Sequence, residues 1–161
     1  MGERKFAFEP VFDENSKVLI LGSFPSVKSR EVSFYYGNKQ NRFWKMICGY
    51  FKENIPDSVE EKRAFLLKNN VALWDMVDSC EIDGSADASV KNEALVDLNV
   101  VLSRADIRKI LLNGSLAYDL FLKAYDGDIP YKKMTSTSPA NPRYNEGDWH
   151  NELSEIFSFI K

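Results

Sequence analysis

Apolar positions along the chain follow two alternating rhythms. The run Lys17-Val18-Leu19-Ile20-Leu21-Gly22 is short and continuously apolar, the pattern of a parallel strand buried on both faces. Val71-Ala72-Leu73-Trp74 repeats it, as does the run over 107–112, which Asn113-Gly114 closes. The stretch 131–136 is weaker and predicts a shorter or edge strand. Helical spacing fills the gaps. Phe43, Trp44, Ile47, Cys48 and Phe51 form one stripe, and Ser58 with Glu61 makes a capping box ahead of Phe65 and Leu66. Leu95, Leu98, Val101 and Leu102 give a further stripe, and Leu116, Leu120, Phe121 and Ala124 another. Trp149, Leu153, Ile156, Phe157 and Ile160 predict an amphipathic helix near the C-terminus. Strands alternating with helices imply an α/β fold with a short, mostly parallel four-stranded sheet covered on both faces. Ligands of such sheets bind beyond the carboxyl ends of the strands, so the segments after Gly22, Trp74, Leu112 and Met134 are where chemistry is expected.

Composition narrows the class. With 161 residues, no repeat and no linker, residues 1–161 read as one domain. A net charge of −3 argues against coating nucleic acid by bulk charge, though a local basic patch remains compatible with it. Cys48 and Cys80 form no C-x-x-C pair and His150 is the only histidine, so neither a four-cysteine cluster nor a histidine-rich metal site can be assembled from this chain. No metal and no cofactor is expected. No run approaches the roughly 18 apolar residues of a membrane span. The first ten residues carry charge without an apolar signal core, so a cytoplasmic, reducing location is the expectation.

Two segments are dense in candidate chemistry. Gly22-Ser23-Phe24-Pro25-Ser26 leads to Ser33-Phe34-Tyr35-Tyr36-Gly37-Asn38-Lys39-Gln40-Asn41-Arg42-Phe43-Trp44, with Lys28, Arg30 and Lys45 adding charge. It contains no nucleotide-binding glycine motif. Aromatic faces there could stack on a base while amides read its edge. Equally, Tyr35, Tyr36, Phe43 and Trp44 could simply be core. The second segment, Thr135-Ser136-Thr137-Ser138-Pro139-Ala140-Asn141-Pro142, offers hydroxyls and backbone N–H groups that could hold phosphates, or it is only a rigid surface turn.

Taken together and in this order, the two segments resemble the uracil-DNA glycosylase superfamily, and within it the hypoxanthine-DNA glycosylase branch. Leu73-Trp74-Asp75, Gly84-Ser85-Ala86-Asp87 and Leu112-Asn113-Gly114 resemble the intermediate blocks of that branch. The resemblance implies a three-layer α/β/α sandwich and an enzyme that flips a deaminated base out of DNA and hydrolyses its N-glycosidic bond, starting base excision repair. Where many branches carry a water-positioning Asp or Asn after the first strand, this chain has Phe24. The resemblance then passes the catalytic role to Asn41, with Asn38 as second candidate. It places Gly22, Ser23, Phe24, Tyr36 and Asn113 around the base, with Tyr36 stacking on it. It sets Ser26, Arg42, Ser136, Thr137, Ser138, Pro139, Ala140 and Asn141 against the DNA.

The chemistry needs no strong base. Bond cleavage builds positive charge on the sugar and negative charge on the leaving base, and a neutral Asn can hold water or donate to the base. Asp75 and Asp87 are considered for a supporting role, with a structural one the default. No lysine suggests a Schiff base, so hydrolysis without lyase activity is expected. An amide matches the N–H and carbonyl edge of hypoxanthine and of uracil alike, which leaves uracil or G/U-mismatch excision as an alternative. A non-catalytic reader of damaged or single-stranded nucleic acid through Tyr35 and Tyr36 is another. A small-molecule-binding α/β protein is a third, disfavoured by the cations between Lys28 and Lys45. Cys48 is expected to pack as a small hydrophobe and His150 to be solvated or capping, and Cys80 has no partnering base. The acidic stretch 81–84 is expected to face away from DNA or to order a loop. The expected partner is DNA bearing deaminated bases, not a membrane, bound by a monomer.

Overall fold

The computed structural model describes residues 3–6, 8–24, 34–82 and 90–158. Four of the seven strands among the described residues form the parallel sheet that the apolar runs imply: β2 (Val18–Gly22), β3 (Val71–Asp75), β6 (Lys109–Asn113) and β7 (Tyr131–Met134). Their order is β3-β2-β6-β7, parallel throughout. Every residue of β2 and β3 is buried, because both strands are sandwiched between helices. Full burial of a Leu or Ile there is worth about 1.5–3 kcal/mol against exposure. At the edge, Tyr131, Lys132 and Lys133 of β7 are exposed, which explains its weaker apolar signal.

The helices are α1 (Phe43–Phe51), α2 (Val59–Lys68), α3 (Asn99–Leu102), α4 (Ser115–Ala124) and α5 (Glu146–Ser158). Ser58 Oγ accepts from Glu61 N at 3.0 Å, as the capping box requires. Trp149, Leu153 and Ile156 of α5 pack into the core, while Ile160 lies outside the described residues. His150 Nε2 meets the Met46 carbonyl at 3.0 Å, tying α5 to α1. Cys48 is buried in α1, and burial pushes its thiol up to about 11, so it packs as an inert hydrophobe.

The sequence pattern misses a second sheet. β1 (Glu3–Phe6), β4 (Val77–Ile82) and β5 (Val90–Leu95) pair antiparallel in the order β1-β4-β5. Leu95, expected on a helical stripe, ends β5, and the helix behind that stripe is only the short α3. Glu81 and Ile82 of the acidic stretch belong to β4. Residues 83–89, with the Gly84-Ser85-Ala86-Asp87 block, and the side chain of Cys80 lie outside the described residues. β4 and β5 are half polar with no continuous apolar run, and backbone pairing with each other and with β1 is what makes them strands.

Candidate active site at the carboxyl end of the parallel sheet

Gly22 ends β2 directly beside Asp75, the last residue of β3. Just past it, the Gly22 and Ser23 carbonyls accept from Met76 N and Val77 N at 2.8 and 3.0 Å. Only glycine fits here, since a Cβ would lie 2.5 Å from Asp75 Oδ1 and 3.0 Å from Tyr36 Oη. Asp75 is 4% exposed, and its Oδ2 has no hydrogen-bond partner. Burial pushes its carboxyl up to about 7. Tyr36 holds a left-handed backbone at φ 53°, which costs a non-glycine residue about 1–2 kcal/mol. Its ring stacks on Phe43, centroids 4.3 Å apart and planes 24° from parallel. The Tyr36 hydroxyl is also buried without a partner. Burial, then the neighbouring Asp75, push it well above its ordinary value. The Asn113 amide offsets this in part but stands outside hydrogen-bonding geometry. Phe24 packs half-buried against the same core.

The two candidate amides occupy successive turns ahead of α1. Asn38 Oδ1 accepts from Gln40 N at 2.9 Å, and Asn41 Oδ1 accepts from Phe43 N at 2.9 Å. Each side-chain oxygen thus fixes its own turn. Among the described residues nothing pairs with either amide nitrogen, which leaves that end of both side chains to meet a ligand.

The 135–141 loop is braced from within and from α1. Asn113 clamps Thr137 at both ends, its Nδ2 donating to Thr137 Oγ1 at 3.0 Å and its Oδ1 accepting from Thr137 N at 3.0 Å. Asn113, expected to touch the base, braces the loop with one of its two N–H groups and one lone pair of its oxygen. Arg42 N donates to the Thr137 carbonyl at 3.0 Å, and the Arg42 guanidinium donates to the Ser138 carbonyl and, at 2.8 Å, to the Asn141 carbonyl. Its charge also lies 4.3 Å from the centroid of the Tyr144 ring. Arg42, expected at a phosphate, spends these donors holding the loop. Ser136 Oγ and Ser138 Oγ accept from Ser138 N and Ala140 N at 3.1 and 3.2 Å, and Asn141 Nδ2 donates to the Ser136 carbonyl at 3.0 Å. Beneath the loop, Gly114 has φ +97°, and a Cβ there would come within 3.0 Å of Ser136 Cβ. Pro139 and Ala140 are exposed at the tip, whereas Thr137 is buried.

Of the remaining candidates, Tyr35 is core: its hydroxyl donates to the Glu9 carbonyl at 2.8 Å, and its own carbonyl accepts from Trp44 Nε1 at 2.9 Å. With Phe43 and Trp44 buried as well, the aromatic run supplies no open stacking platform, and Tyr36 alone of the four is half-exposed. Ser26, Lys28 and Arg30 lie outside the described residues. No group of three His, Cys, Asp or Glu among the described residues is placed to hold a metal ion. The sequence carried no signal for the Arg42–Tyr144 contact or for the unpaired state of Asp75.

A parallel sheet, a glycine-floored strand end and two facing loops define a class. Residues 9–158 match the family model of the uracil DNA glycosylase superfamily, and the chain belongs to that superfamily. Among its relatives, a protein of Methanosarcina acetivorans named hypoxanthine DNA glycosylase is 34% identical, over 90% of this chain and 95% of its own length. A protein of the same name from Methanosarcina barkeri is 31% identical, over 87% and 90%. A solution NMR structure from M. acetivorans, described as a candidate uracil DNA glycosylase, superimposes with a TM-score of 0.80 at 31% identity, covering 96% of this chain and 99% of that one.

Proposed function

We propose that this chain is a DNA glycosylase that removes hypoxanthine from DNA by hydrolysis. The observation that carries the reading is the junction of Asn41, Arg42, Thr137 and Asn113, which joins the start of α1 to the second loop above Gly22. That junction occurs in a chain about one-third identical to proteins named for this activity. The bond between C1′ of the deoxyribose and the base nitrogen breaks, and its electron pair leaves with the base. Water then delivers hydroxide to C1′ and a proton to the base, leaving an abasic site. Asn41 is the key amide, because Arg42 next to it is pinned to the loop by backbone and side chain alike. Its nitrogen donates where charge develops on the leaving base, or its oxygen holds the attacking water. Tyr36 presents the face not covered by Phe43 to the extruded base, and the tip around Pro139 and Ala140 meets the DNA backbone. Among the described residues the groups converging here are amides, hydroxyls, one carboxyl and the Arg42 guanidinium, which favours hydrolysis without a lyase step.

The test is strand cleavage of duplexes carrying one hypoxanthine, uracil or adenine, with and without alkali. Hypoxanthine strands should break only after alkali, and Asn41→Ala should lower the rate about a hundredfold or more while binding persists. Full activity in Asn41→Ala with loss in Asn38→Ala would move the role to Asn38. Cleavage confined to uracil would overturn the purine assignment.

A further inference from the structure

Two buried polar groups at the sheet end have no use in the scheme above. Asp75 Oδ2 and the Tyr36 hydroxyl are both enclosed and unpartnered, and both crowd the Cα of Gly22. A buried group left without a hydrogen bond costs about 1–3 kcal/mol, and an unpaired carboxylate costs more. A fold that retains both in contact with the strand end has them there for something other than stability. We propose that Asp75 is a positioning residue that works as a neutral carboxylic acid: unbonded to the Tyr36 hydroxyl here, it lends that hydroxyl its proton once a base is seated, and so holds Tyr36 beneath the leaving base.

The physical reason lies in the sign of the charge. The base departs with negative charge, so a carboxylate beneath it raises the barrier, whereas a neutral acid polarises the Tyr36 hydroxyl towards it. Deep burial pushes the carboxyl up to about 7, so it stays neutral from about 4 to about 7, where a free Asp is already ionised. Among the described residues, the titratable groups facing Asp75 are the Tyr36 and Tyr35 hydroxyls, from the segment ahead of α1. Burial holds both far above their ordinary values, so neither changes charge near neutrality. Gly22 on β2 and the Asn113 amide on β6 carry no charge, and among the described residues no cation pairs with Asp75. The left-handed backbone of Tyr36 needs such a hold, since its stacking on Phe43 fixes the ring plane but not the hydroxyl.

The inference rests on the glycosylase reading, and single-turnover excision of hypoxanthine from pH 5.5 to 9 separates the two. Wild type should lose rate as pH rises through about 7, when Asp75 ionises. Asp75→Asn, neutral at every pH, should keep the low-pH rate within a few-fold and lose that limb. Asp75→Ala should fall about tenfold at low pH and lose the limb, and Tyr36→Phe should match that low-pH rate. A limb unchanged in Asp75→Asn, or Asp75→Asn no better than Asp75→Ala, would overturn the proposal while leaving the glycosylase intact. Absence of excision by wild type at every pH would remove both.

Discussion

Replacing Asp75 by Asn should stabilise the protein, by an amount that depends on pH. Asp75 is almost fully enclosed, unpaired on Oδ2, and raised by burial from 3.8 to about 7. Between those two values the folded chain keeps a proton that the unfolded chain has released, so stability falls as pH rises through that window. The carboxyl costs nothing below the unfolded value, and its full penalty is reached above the folded one. A difference of roughly 3 pKa units corresponds to about 4 kcal/mol at pH 8, and to less than ~1 kcal/mol at pH 4. Asn has the same shape and no charge, so it escapes the penalty. Urea unfolding at pH 4, 5, 6, 7 and 8 measures the gap, followed by the fluorescence of Trp44, Trp74 and Trp149, all buried in the fold. With a slope of about 2 kcal/mol/M, typical of small proteins, the midpoints should separate by about 2 M at pH 8 and nearly coincide at pH 4. A separation constant across this range would refute the argument, because it would mean that Asp75 has the same charge folded and unfolded. A variant less stable than wild type at pH 8, with the deficit closing towards acid, would mean an ionised carboxylate with a cationic partner.

Two other perturbations probe the scaffold around the site. Arg42→Ala should cost about 2–4 kcal/mol through the lost bonds to the Ser138 and Asn141 carbonyls. Arg42→Lys should recover little of it, for want of the planar fork. The salt dependence of DNA binding should keep its slope in Arg42→Ala, and a slope reduced by about one would show a phosphate contact instead. Glu152, buried beneath Lys109 and Lys132, is raised by burial but lowered more by the two ammonium groups, so its carboxyl ends below its ordinary value. The stability it adds is present above about 4.5 and lost as pH falls through its folded value. Thermal melts should show Glu152→Gln with a lower Tm than wild type at pH 7 and a smaller deficit at pH 3, and an equal deficit at both would refute the ion-pair account.

Local chemistry settled much of this molecule. The apolar run before Gly22, four residues between Lys17 and Gly22, reads as a strand buried on both faces, and every residue of β2 is buried. Ser58 and Glu61 announced a helix start three residues apart, and the stripe from Trp149 to Ile156 announced a helix face. The blocks after Gly22 and after Met134 were enough to suggest the superfamily. The purposes of individual polar side chains were not legible, because a donor finds its acceptor through space. Arg42 reads as a free cation until the Ser138 carbonyl, 96 positions away, takes its guanidinium, and Asn113 reads as a free amide until Thr137, 24 positions away, takes both its ends. Tyr35 offers a stacking face in the sequence and gives it up to the core. β4 and β5 have no continuous apolar run to declare them and exist through pairing. Asp75 shows the division most plainly. The sequence fixes a carboxyl at the end of an apolar strand, but its charge depends on what surrounds it, and only packing against Gly22 and Tyr36 removes the water that would ionise it.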